Sequence, residues 1–183
     1  DGNDQFLPYV RNEKTLARGW ALPGTPNLEH RLGGLEKEAE TGNVSYDPEN
    51  HQRMVETRAE KIQRVQQEIP PTQVYGASEG DVLVLGWGST KGAIEEAIER
   101  VHGNGEEGEA VGSVVLRHLW PLPPDLGDVL ERFEHVLVPE LNNGQFVHLL
   151  HDECICDIAT LNKIQGRPFR AEEIVDAIHD LVD

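Results

Sequence analysis

The sequence predicts an α/β fold: a three-layer, mostly parallel sheet of four or five strands flanked by helices. Three observations carry that prediction. From Asp81 onward, short apolar runs alternate with amphipathic segments, the order that builds parallel sheets. The run Asp81-Val82-Leu83-Val84-Leu85-Gly86 is apolar without alternation, as a strand buried on both faces must be. Aromatic residues make up only 5% of the 183-residue chain, so Val, Leu, Ile and Ala have to fill the core.

The elements follow in order. Residues 1–46 show neither period 2 nor period 3.6 and hold the turn-forming pieces Leu22-Pro23-Gly24-Thr25-Pro26 and Arg31-Leu32-Gly33-Gly34. They predict an extended connector arm, and a structureless stretch this long is expected to wrap another surface. Residues 47–70 predict a linker helix. Asp47 can cap free N–H groups, Pro48 suits the first helical position and Glu49 the first turn. Met54, Val55, Ile62, Val65 and Ile69 form a narrow apolar stripe, and Pro70-Pro71 stops the helix near Ile69.

Residues 71–183 form the α/β domain. The strand at 81–86 leads through Gly88-Ser89-Thr90-Lys91-Gly92 into a helix from Ala93 to Val101. A second strand, Ala110 to Leu119, ends at Trp120-Pro121-Leu122-Pro123-Pro124 and is followed by a helix from Asp125 to Phe133. A third strand, His135 to Pro139, passes Glu140-Leu141-Asn142-Asn143-Gly144-Gln145 into a helix from about Phe146. A shorter strand, Asp157 to Lys163, precedes a closing helix from Ala171 to Val182.

Acidic residues number 33 against 16 basic ones, a net charge of -17, and such a chain repels nucleic-acid backbones and anionic lipid surfaces. The surplus also suits a salt-adapted source. The acidic start, Asp1 to Asp4, is unlike a signal peptide, and no apolar run reaches the ~18 residues of a membrane helix. The expected location is cytoplasmic.

In parallel sheets ligands gather outside the carboxyl ends of the strands. The first such loop offers Ser89, Thr90, Lys91 and Gly92 at a helix start, a set suited to an anion, although this loop has neither nucleotide-binding glycine spacing. The alternative is that its glycines let strand and helix pack closely. The third loop places Glu140, Asn142, Asn143 and Gln145 together, either as an ordinary turn or as an interface. His148, His151, Cys154 and Cys156 supply four potential metal ligands. Cys154 rotates off the face shared by the two histidines, so the favoured reading is a helix end with reduced thiols and no metal. No H-E-x-x-H or thiamine-type G-D-G motif occurs in the chain.

Several segments together resemble the alpha subunit of 2-oxoacid:ferredoxin oxidoreductases, most closely the 2-oxoglutarate type. They are Gly34-Leu35-Glu36, Asp47-Pro48-Glu49-Asn50-His51-Gln52-Arg53-Met54, Gly88-Ser89-Thr90-Lys91-Gly92-Ala93, Leu119-Trp120-Pro121-Leu122-Pro123, Val138-Pro139-Glu140-Leu141-Asn142-Asn143-Gly144-Gln145 and Lys163-Ile164-Gln165-Gly166-Arg167-Pro168-Phe169. Their order and spacing over nearly the whole chain make the likeness specific. The resemblance implies a carboxyl-terminal structural and assembly part, including a transketolase C-terminal-like domain, of an enzyme that oxidatively decarboxylates a 2-oxoacid to an acyl-CoA.

For that full complex the resemblance implies thiamine diphosphate, Mg, an iron-sulfur cluster and CoA. The implied partners are a thiamine-binding beta subunit, the amino-terminal domains of the alpha subunit, and ferredoxin. It carries no catalytic or metal-binding residue onto this chain, which alone is expected to be inactive. The rival expectation is a stand-alone anion- or CoA-binding module using Ser89, Thr90 and Lys91.

Overall fold

The computed structural model describes residues 6–103, 109–153 and 157–182. The chain divides into two compact units, Asp1–Glu68 and Ile69–Asp183.

The first unit is built on helix α1, Pro48–Arg64, whose N-terminus is capped by the Asp47 carboxylate accepting from the Glu49 N–H at 3.1 Å. The α-helix stops five residues short of the expected end and runs on as a 3-10 turn, Val65–Glu68. The expected apolar stripe is not a continuous buried face: Met54 and Ile69 are buried, but Val55, Ile62 and Val65 are exposed. A polar residue secures this helix instead. Buried Asn50 donates to the Lys37 carbonyl at 2.9 Å and accepts from the Ala39 N–H at 3.2 Å, pinning the preceding segment to α1. Glu36 adds His51 at 2.7 Å and Arg58 at 3.4 Å, and Arg64 donates to the Glu13 and Lys14 carbonyls at 2.6 and 2.8 Å. Residues 6–46 otherwise form turns with two isolated bridges, Arg11↔Arg18 and Lys37↔Val44.

The second unit is the α/β domain. Its elements are β1 (Tyr75–Gly76), β2 (Gly80–Trp87), α2 (Lys91–Gly103), β3 (Val111–Leu116), α3 (Leu126–Leu130), β4 (Phe133–Glu140), α4 (Gln145–Glu153), β5 (Ile158–Asn162) and α5 (Ala171–Val182). The strands lie in the order β1-β3-β2-β4-β5, with β1 antiparallel and the other four parallel. Val82 and Val84 enter a core closed by Ile94, Ala97, Ile98, Ile174 and Ile178 of α2 and α5. Leu83 and Leu85 enter a second core with Leu126, Val129 and Leu130 of α3 and Phe146, Val147 and Leu150 of α4. One strand therefore feeds two layers, which is the three-layer architecture read from its unbroken apolar run.

Several boundaries differ from expectation. The second parallel strand ends at Leu116 rather than Leu119, because its partner β2 ends at Trp87, the residue paired with Leu116. Helix α3 is shorter than expected and Phe133 opens β4, since Phe133 pairs with Gly80 and the Gly80 N–H bonds the Arg132 carbonyl at 3.1 Å. Among the described residues, no helix is long and apolar enough to cross a membrane.

Gly86 explains how α2 lies so close to β2. A Cβ there would sit 2.1 Å from the Ile94 Cδ1 and 2.8 Å from the Thr90 Oγ1. Gly86→Ala is expected to lower stability by about 1–3 kcal/mol, seen as a lower urea midpoint at an unchanged slope. An unchanged midpoint would show that α2 yields freely.

Candidate functional site

The site is the carboxyl edge of the sheet. The chain leaves β2 through α2 to β3 on one side, then returns across to β4 on the other, so the switch point falls between the loops after β2 and β4. Register aligns the strand ends. Leu116 pairs with Trp87 and Glu140 with Asn162, while extending the Val84↔Leu137 pairing by three residues sets Trp87 beside Glu140. The two loops singled out in the sequence, 88–92 and 140–145, are thus neighbours. The Trp87 and Phe146 rings bridge them edge to face, with centroids 6.4 Å apart.

In the loop after β2, Thr90 is buried and its hydroxyl is spent locally. It accepts from the Trp87 N–H at 3.2 Å and donates to the Trp87 carbonyl at 2.9 Å. Gly88 has φ +63, a left-handed turn that a side chain would strain. Ser89, Lys91 and Gly92 are exposed, and the Lys91 ammonium lies 3.5 Å from Glu95 one turn along α2. The glycines thus divide their work: Gly86 allows close packing, Gly88 makes the turn, and Gly92 would meet nothing within 4 Å.

In the loop after β4, Glu140 is only 1% exposed and its carboxylate closes the start of α4. It accepts from the Phe146 N–H at 3.1 and 3.2 Å, the Val147 N–H at 3.3 Å and the Asn142 amide at 3.1 Å. The Asn142 carbonyl oxygen in turn accepts from the Gly144 and Gln145 N–H groups at 2.8 and 3.0 Å. Free helix N–H groups and the positive end of the helix dipole stabilise a carboxylate placed there. Glu140 and Asn142 therefore build the loop, leaving Asn143 and Gln145 facing solvent.

The last loop is tied by Lys163 and Glu173. The Lys163 ammonium donates to the Glu173 carboxylate at 2.7 and 2.9 Å and to the Pro168 carbonyl at 3.0 Å. Glu173 also accepts from the Arg170 N–H at 2.7 Å, a capping arrangement at the start of α5. That backbone bond, and then Lys163, holds the Glu173 carboxyl below the usual carboxylate range.

His148 and His151 lie exposed on α4, while Cys154 and Cys156 fall outside the described residues. Among the described residues no group of three or more His, Cys, Asp or Glu is placed to hold a metal ion. The sequence reading did not single out three residues of this edge. They are Trp87, whose buried indole N–H has no acceptor among the described residues, and the exposed Arg117 and Arg167. The signal available for the two arginines was their position in the segments that follow strands in an acidic chain.

This edge and sheet define a three-layer α/β domain whose loops are shaped by internal hydrogen bonds of Thr90, Glu140, Asn142 and Lys163. Residues 80–174 match the family described as pyruvate:ferredoxin oxidoreductase core domain II, and the chain belongs to that family. It is 41% identical over 172 residues to the 2-oxoglutarate oxidoreductase subunit KorA of Mycobacterium tuberculosis, covering 93% of this chain and 26% of that protein. It is 26% identical to the 2-oxoglutarate synthase subunit KorA of Methanothermobacter thermautotrophicus, covering 96% of this chain and 46% of that one. A solved structure of 2-oxoglutarate:ferredoxin oxidoreductase from Magnetococcus marinus, with 2-oxoglutarate, coenzyme A and succinyl-CoA bound, superposes with a TM-score of 0.84 and 32% identity. That match covers 100% of this chain and 32% of the other. The chain thus spans less than half the length of these relatives.

Two outcomes are expected. Glu140→Ala strands two backbone N–H groups and is expected to cost about 2–4 kcal/mol in urea unfolding, with Glu140→Gln recovering part of the loss. An alanine variant as stable as the parent would show that water replaces the carboxylate. Because the folded Glu173 pKa is depressed, its contribution is present above the unfolded value of about 4.5 and is lost as pH falls through the folded value. Glu173→Gln should therefore lower Tm at neutral pH and lose that effect in strong acid. An equal drop at both pH values would contradict the assignment.

Proposed function

We propose that this chain acts as the structural and assembly domain of the alpha subunit of a 2-oxoacid:ferredoxin oxidoreductase, with 2-oxoglutarate as the favoured 2-oxoacid. The observation that carries the proposal is the superposition of the whole chain, with a TM-score of 0.84, on about a third of such an enzyme. Oxidative decarboxylation to an acyl-CoA then belongs to the complete complex. There, thiamine diphosphate with Mg, an iron-sulfur cluster, CoA and ferredoxin would serve the reaction, in the cytoplasm. The described residues offer no metal-holding group, so no step through those cofactors is assigned to them.

What this chain's residues do is hold surfaces in place. Glu140 and Asn142 set the loop after β4, Lys163 and Glu173 set the loop after β5, and Asp125 accepts from the Thr72 N–H at 2.8 Å to anchor the start of the domain. The arm of residues 1–46 supplies apolar surface for a neighbouring domain or the thiamine-binding subunit, with Trp20 90% and Tyr46 87% exposed. The rival, a stand-alone anion- or CoA-binding module, has less support: the Thr90 hydroxyl is committed to the backbone of Trp87 and Lys91 leans toward Glu95.

Two assays test the assignment together. Alone with 2-oxoglutarate, CoA, thiamine diphosphate and Mg, the chain is expected to reduce no viologen dye. As bait, it is expected to retain a thiamine-binding subunit with the visible absorption of an iron-sulfur cluster. Dye reduction by the chain alone, or failure to retain that subunit, would overturn the proposal. Calorimetric binding of CoA at micromolar concentration, abolished by Lys91→Ala, would favour the rival.

A further inference from the structure

The charges of the second unit are sorted along the strand direction. Residues 69–183 hold seven basic side chains, and five of them, Lys91, Arg117, Lys163, Arg167 and Arg170, follow the carboxyl ends of β2, β3 and β5. Those loops contain one acid, Asp125, and the end of β4 a second, Glu140, and both are committed to internal hydrogen bonds. The opposite edge is acidic. Glu79, Asp81, Glu109, Glu131, Glu134 and Asp157 cluster at the starts of the four parallel strands. Three of the rim cations are partly satisfied: Lys91 by Glu95, Lys163 by Glu173, and Arg170 by Glu172 and Glu173. Arg117 and Arg167 are exposed and have no carboxylate partner among the described residues.

A second observation, independent of charge, falls on the same rim. Of the three large apolar side chains exposed among the described residues of 69–183, two stand there: Trp120, 51% exposed, and Ile164, 65% exposed. Trp120 lies three residues beyond Arg117, and Ile164 three residues before Arg167. The ends of β3 and β5 are three strand spacings apart, about 15 Å. The rim thus presents two separated arginine and apolar pairs, with Ser89, Asn143 and Gln145 exposed between them.

We propose that this carboxyl rim is a docking surface for a carboxylate-rich protein surface. Arg and Trp are the side chains that most often dominate protein interfaces, and unpaired arginines in an acidic domain select a partner of opposite sign. A span of about 15 Å with apolar anchors at both ends matches a protein face better than one small anion, which would need its cations converged. A second copy could offer its acidic edge, but head-to-tail stacking of that kind does not close, and two chains of charge -17 repel. The inference stands on the charge and exposure pattern and does not depend on the enzyme assignment.

The test is a titration of the isotope-labelled chain with a polyglutamate peptide, followed by amide and indole NMR shifts. Shifts are expected at 88–91, 117–120 and 163–167, including the Trp120 indole, and affinity should fall about tenfold or more between low and moderate salt. Arg117→Glu with Arg167→Glu should abolish them. Arg100→Glu with Arg132→Glu, the two basic residues off the rim, should leave them intact. Unmoved Val82 to Leu85 resonances show that each variant is folded. Four results overturn the proposal: no localised shift at millimolar peptide, equal loss in both double variants, rim shifts on concentrating the chain alone, or tighter binding of pyrophosphate at 88–91 with Trp120 and Ile164 unmoved.

Discussion

The rest of the α/β unit depends on the burial of β2 on both faces. Val82, Leu83, Val84 and Leu85 are four consecutive side chains with no solvent exposure, pointing alternately into the two cores. Each contributes on the order of 1.5–3 kcal/mol of burial. Such a strand can only be central, so β3 and β4 must flank it and helices must cover both faces. The crossover that places β3 and β4 on opposite sides creates the switch point, and β2's pairings line up the strand ends that form the rim.

Much of this fold was legible because apolar periodicity is a local signal. The closing helix 171–182 matches the reading from sequence, and the double-sided burial of 82–85 follows from an unbroken apolar run. Strand ends were less legible because a strand stops where its partner stops. Leu119 looks like a continuation of β3, yet beyond Leu116 no β2 residue remains to pair with it. The antiparallel β1 is two residues long and carries no periodicity to read. Asn50 was equally hidden: its burial depends on the carbonyl of Lys37, thirteen residues earlier.

The candidate site divides in the same way. Both loops were recognisable from topology, since parallel strands gather their functional loops at one edge. The use of each side chain was not. Glu140 and Asn142 read as possible ligands, but five donor groups within seven residues of them occupy their side chains, a consequence of how α4 starts. Arg117 and Arg167 drew no attention as isolated residues. Their meaning comes from the contrast between two edges of one sheet, which exists only once the strands are ordered. The result is a domain whose buried polar groups fix loop shape and whose exposed ones stand free at the rim, in a chain that belongs to the pyruvate:ferredoxin oxidoreductase core domain II family.

The central claim is that the domain is prefolded around β2 and offers its carboxyl rim to a partner. Amide hydrogen exchange, compared between the isolated chain and the chain assembled with the thiamine-binding subunit proposed as its partner, tests it most directly. The account predicts strong protection at Val82 to Leu85 in both states, with protection gained on assembly at 88–91, 117–120 and 163–167. A rim that exchanges equally in both states, or a β2 that becomes protected only on assembly, would contradict it.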